Sequence, residues 1–200
     1  MTAAGQASVT PDMAVVSFAV TGTGKELGAT RDEVNARSSS VLARLRELGI
    51  AQVDLNAPDV TVQPEYDYRK GQRLIGYRVV RQMVASVRDL HRLGDVLDGV
   101  VGAGASEVHG AQMKSSDPSA AEHEALRRAA AAGRAKGLVL AEAAGVTLGA
   151  VMRMEEVLDV NGPPMPMRMM AAAESADMQT EVAIGDVTVT CHIRAWFAID

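Results

Sequence analysis

The chain of 200 residues is poor in the residue types that most often mark binding and catalytic sites. It has one cysteine, one tryptophan, two phenylalanines and three tyrosines. The single cysteine, Cys191, excludes an intramolecular disulfide framework. No apolar run approaches the roughly 18 residues that a membrane-spanning helix needs. The first residues also lack the basic and apolar regions of a signal peptide. As it stands the chain is expected to be cytoplasmic, and periplasmic or secreted if an export signal has been removed.

Clustered positive charge is missing too. The formal net charge is -5 and the pI is about 5.4, while basic residues are scattered along the chain. Non-specific binding to nucleic acid requires a positive field along the phosphate backbone. Nucleic acid is therefore not expected as a partner.

Motifs for catalysis and metal binding are also missing. The histidines form no HExxH pair and no zinc-type cluster; they are His91, His109, His123 and His192. Residues 22–25 (GTGK) fall short of the GxxxxGKS/T phosphate loop. The serines at 38–40 lie in a helical pattern, and Cys191 lies in an alternating strand, where a buried small hydrophobe is expected. We therefore predict that the chain is not an enzyme and that it has neither a cofactor nor a metal site.

Two kinds of periodicity alternate through the first half of the chain. Strand-like runs cover residues 14–20, 60–68, 74–87 and 107–114, and helical spacing covers residues 28–48 and 89–102. Gly49 with Ile50 predicts a Schellman end for the first helix, and Asp89 is predicted to cap the second. The order β-α-β-β-α-β is typical of the ferredoxin-like two-layer sandwich, so the predicted fold class is α+β.

A long helix is predicted to follow this lobe. Asp117 and Pro118 form an N-cap and first-turn pattern, and Ser119 with Glu122 matches a capping box. Small residues then recur every four positions: Ala125, Ala129, Gly133, Gly137, Ala141 and Gly145. Because such residues let another backbone approach closely, the helix is expected to lie tight against a sheet or a partner helix.

The end of the chain is predicted to be a β-hairpin with a long connection. Strands are predicted over residues 149–160 and 181–199, and residues 161–180 between them are interpreted as a long flexible loop rich in methionine and proline. The chain is thus interpreted as a single domain of residues 1–200 with two intertwined lobes. The first lobe is residues 1–115, and residues 116–200 supply the helix and the hairpin.

All three tyrosines lie in the hairpin predicted over residues 60–87. Tyr66 and Tyr68 are expected to share a face because they are two residues apart on one strand, and a paired Tyr77 would extend that face. Such a surface suits a subunit contact or a bound peptide. The alternative is that the rings close the edge of the sheet's own core. The three tyrosines are therefore candidate interface or ligand residues.

Methionine, by contrast, is abundant late in the chain. Seven of the 11 methionines are Met152, Met154, Met165, Met167, Met169, Met170 and Met178. Thioethers favour Cu(I), form adaptable contacts with a partner surface, and are oxidised reversibly. A contact with a partner is the preferred interpretation, and Met165, Met167, Met169 and Met170 are the candidate residues.

Several short blocks occur in an order that resembles one known family. They are VTPDMA at 9–14, VQPEYDY at 62–68, IGY at 75–77, VVGAGA at 100–105, the alanine-rich helix up to residue 145, PPMPM at 163–167 and VTV at 187–189. This set covers nearly the whole chain and resembles the SIMPL-domain family, bacterial proteins often exported to the periplasm and linked to stress tolerance. The resemblance implies a two-lobed α+β fold and a tendency to form homo-oligomers. It supplies no catalytic residues.

Together these patterns predict a non-catalytic SIMPL-type protein whose partner is itself, with a role in stress tolerance or envelope physiology. The alternative is a binding module. It would capture a hydrophobic peptide, a small molecule or a soft metal such as Cu(I), either at the Met/Pro loop or in a cleft between the lobes.

Overall fold

The computed structural model describes residues 1–58, 60–69, 71–157 and 185–200, which divide into two compact units. One unit consists of residues 12–114 and is called here the ferredoxin-like unit. The other combines residues 1–11, 115–157 and 185–200 and is called the three-stranded unit. The first eleven residues therefore belong with the C-terminal part of the chain.

Eight strands and three α-helices are found in the described residues. The strands are β1 (Thr2–Val9), β2 (Met13–Gly24), β3 (Leu55–Asn56), β4 (Val60–Asp67), β5 (Arg73–Val87), β6 (Glu107–Lys114), β7 (Leu148–Val157) and β8 (Val187–Ile199). The helices are α1 (Leu27–Glu47), α2 (Leu93–Gly102) and α3 (Ser119–Ala144). The elements expected from sequence periodicity are all present, whereas β1 and β3 are not predicted by those patterns.

The ferredoxin-like unit has the predicted topology. Its strands pair in the order β3-β5-β2-β6, and β4 also pairs with β5, all antiparallel. Without the two-residue β3, the order β4-β5-β2-β6 is that of a β-α-β-β-α-β ferredoxin-like fold. The predicted α+β fold class is confirmed.

The helices α1 and α2 cover one face of this sheet and enclose the main core. Its largest fully buried side chains include Phe18 and Met83 from the sheet and Leu45 and Leu93 from the helices. The α1 helix ends as predicted: Gly49 has φ 84°, and the amide of Ile50 donates to the Leu45 carbonyl at 3.0 Å. These two features define a Schellman motif. Asp89 also accepts from the amide of His91, as an N-cap of the short 3-10 turn before α2.

The start of α3 differs from the predicted capping box. Ser119 is already the first helical residue, and Pro118 occupies the N-cap position without a side-chain hydrogen bond. Asp117 instead accepts a hydrogen bond from the amide of Ser119 at 3.1 Å. The capping box is absent because Ser119 is already helical, one residue earlier than that pattern assumes, and the Asp117 carboxylate accepts from the helix end instead.

The small residues of α3 form its buried face, as predicted. The buried positions are Ala121, Ala125, Ala129, Gly133, Gly137 and Ala141. They lie against the sheet β1-β8-β7, whose buried side chains include Ala3, Ala7, Ile193 and Ala195. Contact is closest at Gly5, where a Cβ atom would overlap the carbonyl oxygen of Ala125 and the amide nitrogen of Ala129. Only glycine permits this approach.

We expect Gly5→Ala to lower the free energy of unfolding by about 3 kcal/mol, because the added methyl group overlaps helix backbone that has no room to move. Gly28→Ala is the matched control, since nothing lies within 4 Å of a Cβ built at that helical position. The control should raise stability by up to about 1 kcal/mol. Urea denaturation followed by circular dichroism measures both, and equal values for the two variants would contradict the close contact.

Candidate functional site

The predicted tyrosine hairpin extends beyond the rest of its sheet. The pairing of β2 with β5 stops at Gly24 opposite Tyr77, whereas β5 continues to Arg73 and β4 follows it to Asp67. Residues 73–76 are therefore paired with β4 alone within the described part of the chain. We call β4 with residues 68–69 and 71–77 the hairpin arm. Its outer part is a two-stranded ribbon.

The arm has one apolar face and one charged face. Residues 60, 62, 64, 66 and 68 share a face by strand alternation, and Tyr77 lies opposite Pro64 while Leu74 lies opposite Tyr66. The apolar face thus carries Val60, Val62, Pro64, Tyr66, Tyr68, Leu74 and Tyr77. The rings of Tyr66 and Tyr68 lie 6.3 Å apart between centroids. The structure brings all three predicted tyrosines together on this face.

The opposite face of the arm is polar. Glu65 accepts from the Arg78 guanidinium at 3.0 Å, and Thr61 and Gln63 lie on the same side of β4. At the tip, Asp67 accepts from both the amide and the guanidinium of Arg69. These hydrogen bonds hold the pKa of the Asp67 carboxyl below its usual value. The arm is therefore amphipathic, and both carboxylates of its polar face, Glu65 and Asp67, are ion-paired.

The apolar face is largely uncovered. Tyr68 is 69% exposed and Leu74 is 44% exposed, and Val62 and Tyr66 are exposed as well. Isolated apolar residues on a surface are ordinary, but a continuous face of aromatic and aliphatic side chains on a projecting ribbon indicates a contact surface.

Several features of the strand edges in the described residues hinder pairing with another strand. Pro64 places a residue without an amide hydrogen in the edge strand β4. On β1, Arg128 donates to the carbonyl of Gln6 at 2.8 Å and Lys136 donates to the carbonyl of Thr2 at 3.3 Å. The β7 strand has two register shifts around Val151. Such features oppose edge-to-edge association.

A second apolar surface lies in the three-stranded unit, where sequence patterns did not predict a site. A groove of about 330 Å³ is lined by Met1, Gly137, Leu140, Ala141, Ala144, Val146, Leu148, Ala195, Trp196, Phe197 and Ile199. Leu140 is 59% exposed, and the guanidinium of Arg153 lies 5.2 Å from the ring centre of Trp196. The sequence feature that could have indicated this surface is the run of three consecutive apolar residues at 138–140 in α3. Three adjacent positions of a helix cannot all lie on its one buried face, so some of these side chains must be exposed.

The ferredoxin-like unit has a larger but charged depression of about 520 Å³ between α1 and α2. Its lining includes Arg44, Asp95 and Asp98, and Arg44 is already paired with Glu47 at 3.1 Å. Gly99 brings the two helices together here, since a Cβ at that position would meet the Leu48 side chain. The depression is open to solvent, and its lining mixes these charged side chains with apolar ones such as Leu48 and Ala103.

Within the described residues 1–58, 60–69, 71–157 and 185–200, no group of three or more histidine, cysteine or acidic side chains is close enough to hold a metal ion. Met165, Met167, Met169 and Met170, together with the loop predicted over residues 161–180, lie outside the described residues. Met152 and Met154, by contrast, are exposed on β7. In the same described ranges, no helix combines the length and apolarity required to cross a membrane.

Cys191 is buried against α3, as expected of a small hydrophobe. It packs with Ala7, Ala121 and Ala125, and its Sγ lies 3.7 Å from the Glu122 carbonyl oxygen. Burial raises the pKa of the Cys191 thiol, and the nearby carboxylates of Glu156 and Glu122 act in the same direction. A raised pKa and low exposure are the reverse of what a nucleophilic cysteine needs.

Comparison with known proteins confirms the resemblance carried by the sequence blocks. The model of one family, SIMPL, a protein of unknown function (DUF541), matches residues 1–197. The chain belongs to the SIMPL family. Among its relatives is the 26 kDa periplasmic immunogenic protein of Brucella melitensis, 31% identical over 212 residues that cover 100% of this chain and 83% of the relative.

Two further SIMPL relatives are proteins named YggE. The one from Edwardsiella ictaluri is 32% identical over 183 residues, covering 90% of this chain and 76% of the relative. The one from Escherichia coli K12 is 28% identical over 180 residues, covering 88% and 73%. The name of the Brucella relative assigns that protein to the periplasm, and none of these names states an activity.

We expect the Cys191 thiol to react slowly with Ellman's reagent at pH 8, because the raised pKa leaves little thiolate and burial blocks access. The rate should be at least about tenfold below that of the same chain unfolded in urea. Folded and unfolded samples at one pH form the matched pair. Equal rates would show that the thiol is open to solvent and would contradict its role as a buried small hydrophobe.

Proposed function

We propose that this SIMPL protein is a non-catalytic protein that assembles with copies of itself through the hairpin arm. The observation that supports this proposal most strongly is the division of the arm into an uncovered apolar face and an ion-paired polar face. A surface patterned in this way has lower free energy when its apolar side is removed from water.

The energetics of the ribbon point in the same direction. Two-stranded ribbons are marginally stable in water on their own, and the outer arm has only β4 and the start of β5. The exposed parts of its apolar side chains amount to roughly 500 Å². At about 25 cal/mol per Å² this area supplies on the order of 10 kcal/mol before the costs of association. A second protein surface would therefore stabilise both the arm and the assembly.

The non-catalytic part of the proposal rests on the described polar groups. Ser38 is fully buried and its hydroxyl donates to the Val34 carbonyl at 2.7 Å, so it is part of the α1 core face. Cys191 is buried with a raised thiol pKa. Neither side chain has the exposure that a nucleophile requires. We therefore propose a role in assembly rather than in chemistry.

We further propose that the protein acts in the periplasm, in envelope physiology or stress tolerance. Support comes from the relative that covers the whole of this chain, the 26 kDa periplasmic immunogenic protein of Brucella melitensis. Fractionation of cells that produce the full-length protein tests the location, and recovery with cytoplasmic markers would contradict it.

The second candidate is a binding module. It is favoured by the groove near Trp196, whose volume of about 330 Å³ reaches the lower range of small-molecule pockets. A hydrophobic peptide or small molecule is the class of ligand that suits its lining. The two candidate functions predict different masses for the protein in solution. A binding module can remain monomeric, whereas a self-assembling protein cannot.

We expect the combined change Tyr66→Ser and Leu74→Ser to dissociate the assembly, because these residues lie opposite each other on the apolar face. Loss of about 3 kcal/mol of apolar contact should weaken association roughly 100-fold. Light scattering coupled to gel filtration at micromolar concentration gives the mass of each species.

The matched control changes the other face of the same strand, with Thr61→Ser and Gln63→Ser. It should keep the wild-type mass. A wild-type protein that is a clean monomer at this concentration would overturn the assembly proposal and favour the binding module.

A further inference from the structure

We propose that Tyr66 and Tyr68 form an oxidation site, at which a peroxide-driven one-electron oxidation joins the two rings of one copy as a dityrosine. This inference goes beyond the proposed function, because both rings belong to the same chain and the bond needs no second copy. It rests on the distance between the rings, on their exposure, and on the surroundings of the other oxidisable side chains.

The two rings are close enough to meet. Their centroids lie 6.3 Å apart, with the ring planes tilted by 51°. Tyr68 is 69% exposed and Tyr66 is 37% exposed, so neither ring is held in a packed core. Exposed side chains change rotamer in picoseconds to nanoseconds, so rotations about the side-chain bonds bring the ring carbons together repeatedly. Groups held near each other in this way react at a high effective concentration.

Other oxidisable side chains lack a second phenol beside them. In the described part of the chain, neither Tyr77 nor Trp196 makes a ring contact with a tyrosine. Cys191 is buried, and its raised thiol pKa disfavours the thiolate that oxidants attack. The exposed thioethers of Met152 and Met154 become sulfoxides when oxidised, which forms no bond between residues. A radical on the hairpin arm therefore has a partner within its own chain.

The step balances with hydrogen peroxide as the oxidant, activated by a haem peroxidase supplied from outside the chain. Each phenol gives up one electron and its hydroxyl proton, and the two tyrosyl radicals join through the ring carbons next to the C–O bonds. The hydrogen atom on each of these carbons then moves to the phenolic oxygen, which restores both aromatic rings. The two electrons and two protons reduce one peroxide to two water molecules, so the chain loses two hydrogen atoms.

The new bond would brace the outer end of the arm. Tyr68 directly follows β4, at the end where the ribbon consists of β4 and the start of β5. Two-stranded ribbons are marginally stable in water. A bond from Tyr68 to Tyr66 restricts the backbone at this end, so oxidation should stiffen the arm rather than unfold it.

Trypsin gives a readout that is specific for this pair. It cuts after lysine and arginine, so residues 47–69 form one peptide that contains Tyr66 and Tyr68, whereas Tyr77 lies in the peptide of residues 74–78. A bond between Tyr66 and Tyr68 lowers the mass of peptide 47–69 by two hydrogen atoms and prevents its fragmentation between the rings. A bond to Tyr77 would link the two peptides, and a bond between copies would join two copies of peptide 47–69.

We expect the chain treated with hydrogen peroxide and a haem peroxidase to give the lighter peptide 47–69 together with dityrosine fluorescence. Tyr66→Phe and Tyr68→Phe should each lower the dityrosine yield at least about tenfold, because coupling within a chain far outpaces coupling between chains at micromolar concentration. Tyr77→Phe is the matched control and should keep the full yield. Every chain also carries Leu74→Ser, which keeps the tyrosines and weakens association through the arm.

The outcomes separate this oxidation site from assembly. An unchanged peptide 47–69, in a reaction where the peroxidase still couples free tyrosine, would overturn the inference. A yield that rises in proportion to protein concentration would overturn it too, because that dependence indicates a bond between copies. A wild-type protein that is monomeric in light scattering would contradict arm-mediated assembly and leave the oxidation site standing.

Discussion

The close approach of α3 to β1 is the contact on which the three-stranded unit depends. With Gly5 beneath Ala125 and Ala129, helix backbone touches strand backbone, and the buried face of α3 has no side chain larger than a methyl group. A helix this close to its sheet buries little area per residue, so its stability relies on dispersion between well-packed atoms rather than on large apolar groups. The same small residues continue to the C-terminal end of α3, where the side chains of Leu148 and Met1 pack against Gly137. The packing rule that holds the unit together therefore extends to the residues that line the groove.

A second constraint concerns strand edges. Antiparallel sheets expose unpaired amide and carbonyl groups at their edges, and such groups pair readily with any extended chain. In the described residues Arg128 and Lys136 occupy carbonyls of β1, and Pro64 interrupts β4. The bonds to β1 come from the exposed side of the helix whose buried side packs on that strand, so one helix both supports the strand and shields its edge. What the described part of the hairpin arm leaves open to water is a face of side chains, among them Tyr66, Tyr68 and Leu74.

The sequence predicts much of this architecture, and the exceptions have physical reasons. Regular periodicity located α1, α3, β5 and β6, and the order of elements predicted the ferredoxin-like topology. The β1 strand was not predicted because its sequence, TAAGQASV, has small residues where β-branched residues usually indicate a strand. Those small residues are required by the close contact with α3. The tyrosine face was predicted from alternation alone, but its extension by Leu74 depends on a register shift beside Glu65 that no local pattern reveals. The groove was missed because its walls come from residues 1, 137–148 and 195–199, which only folding brings together.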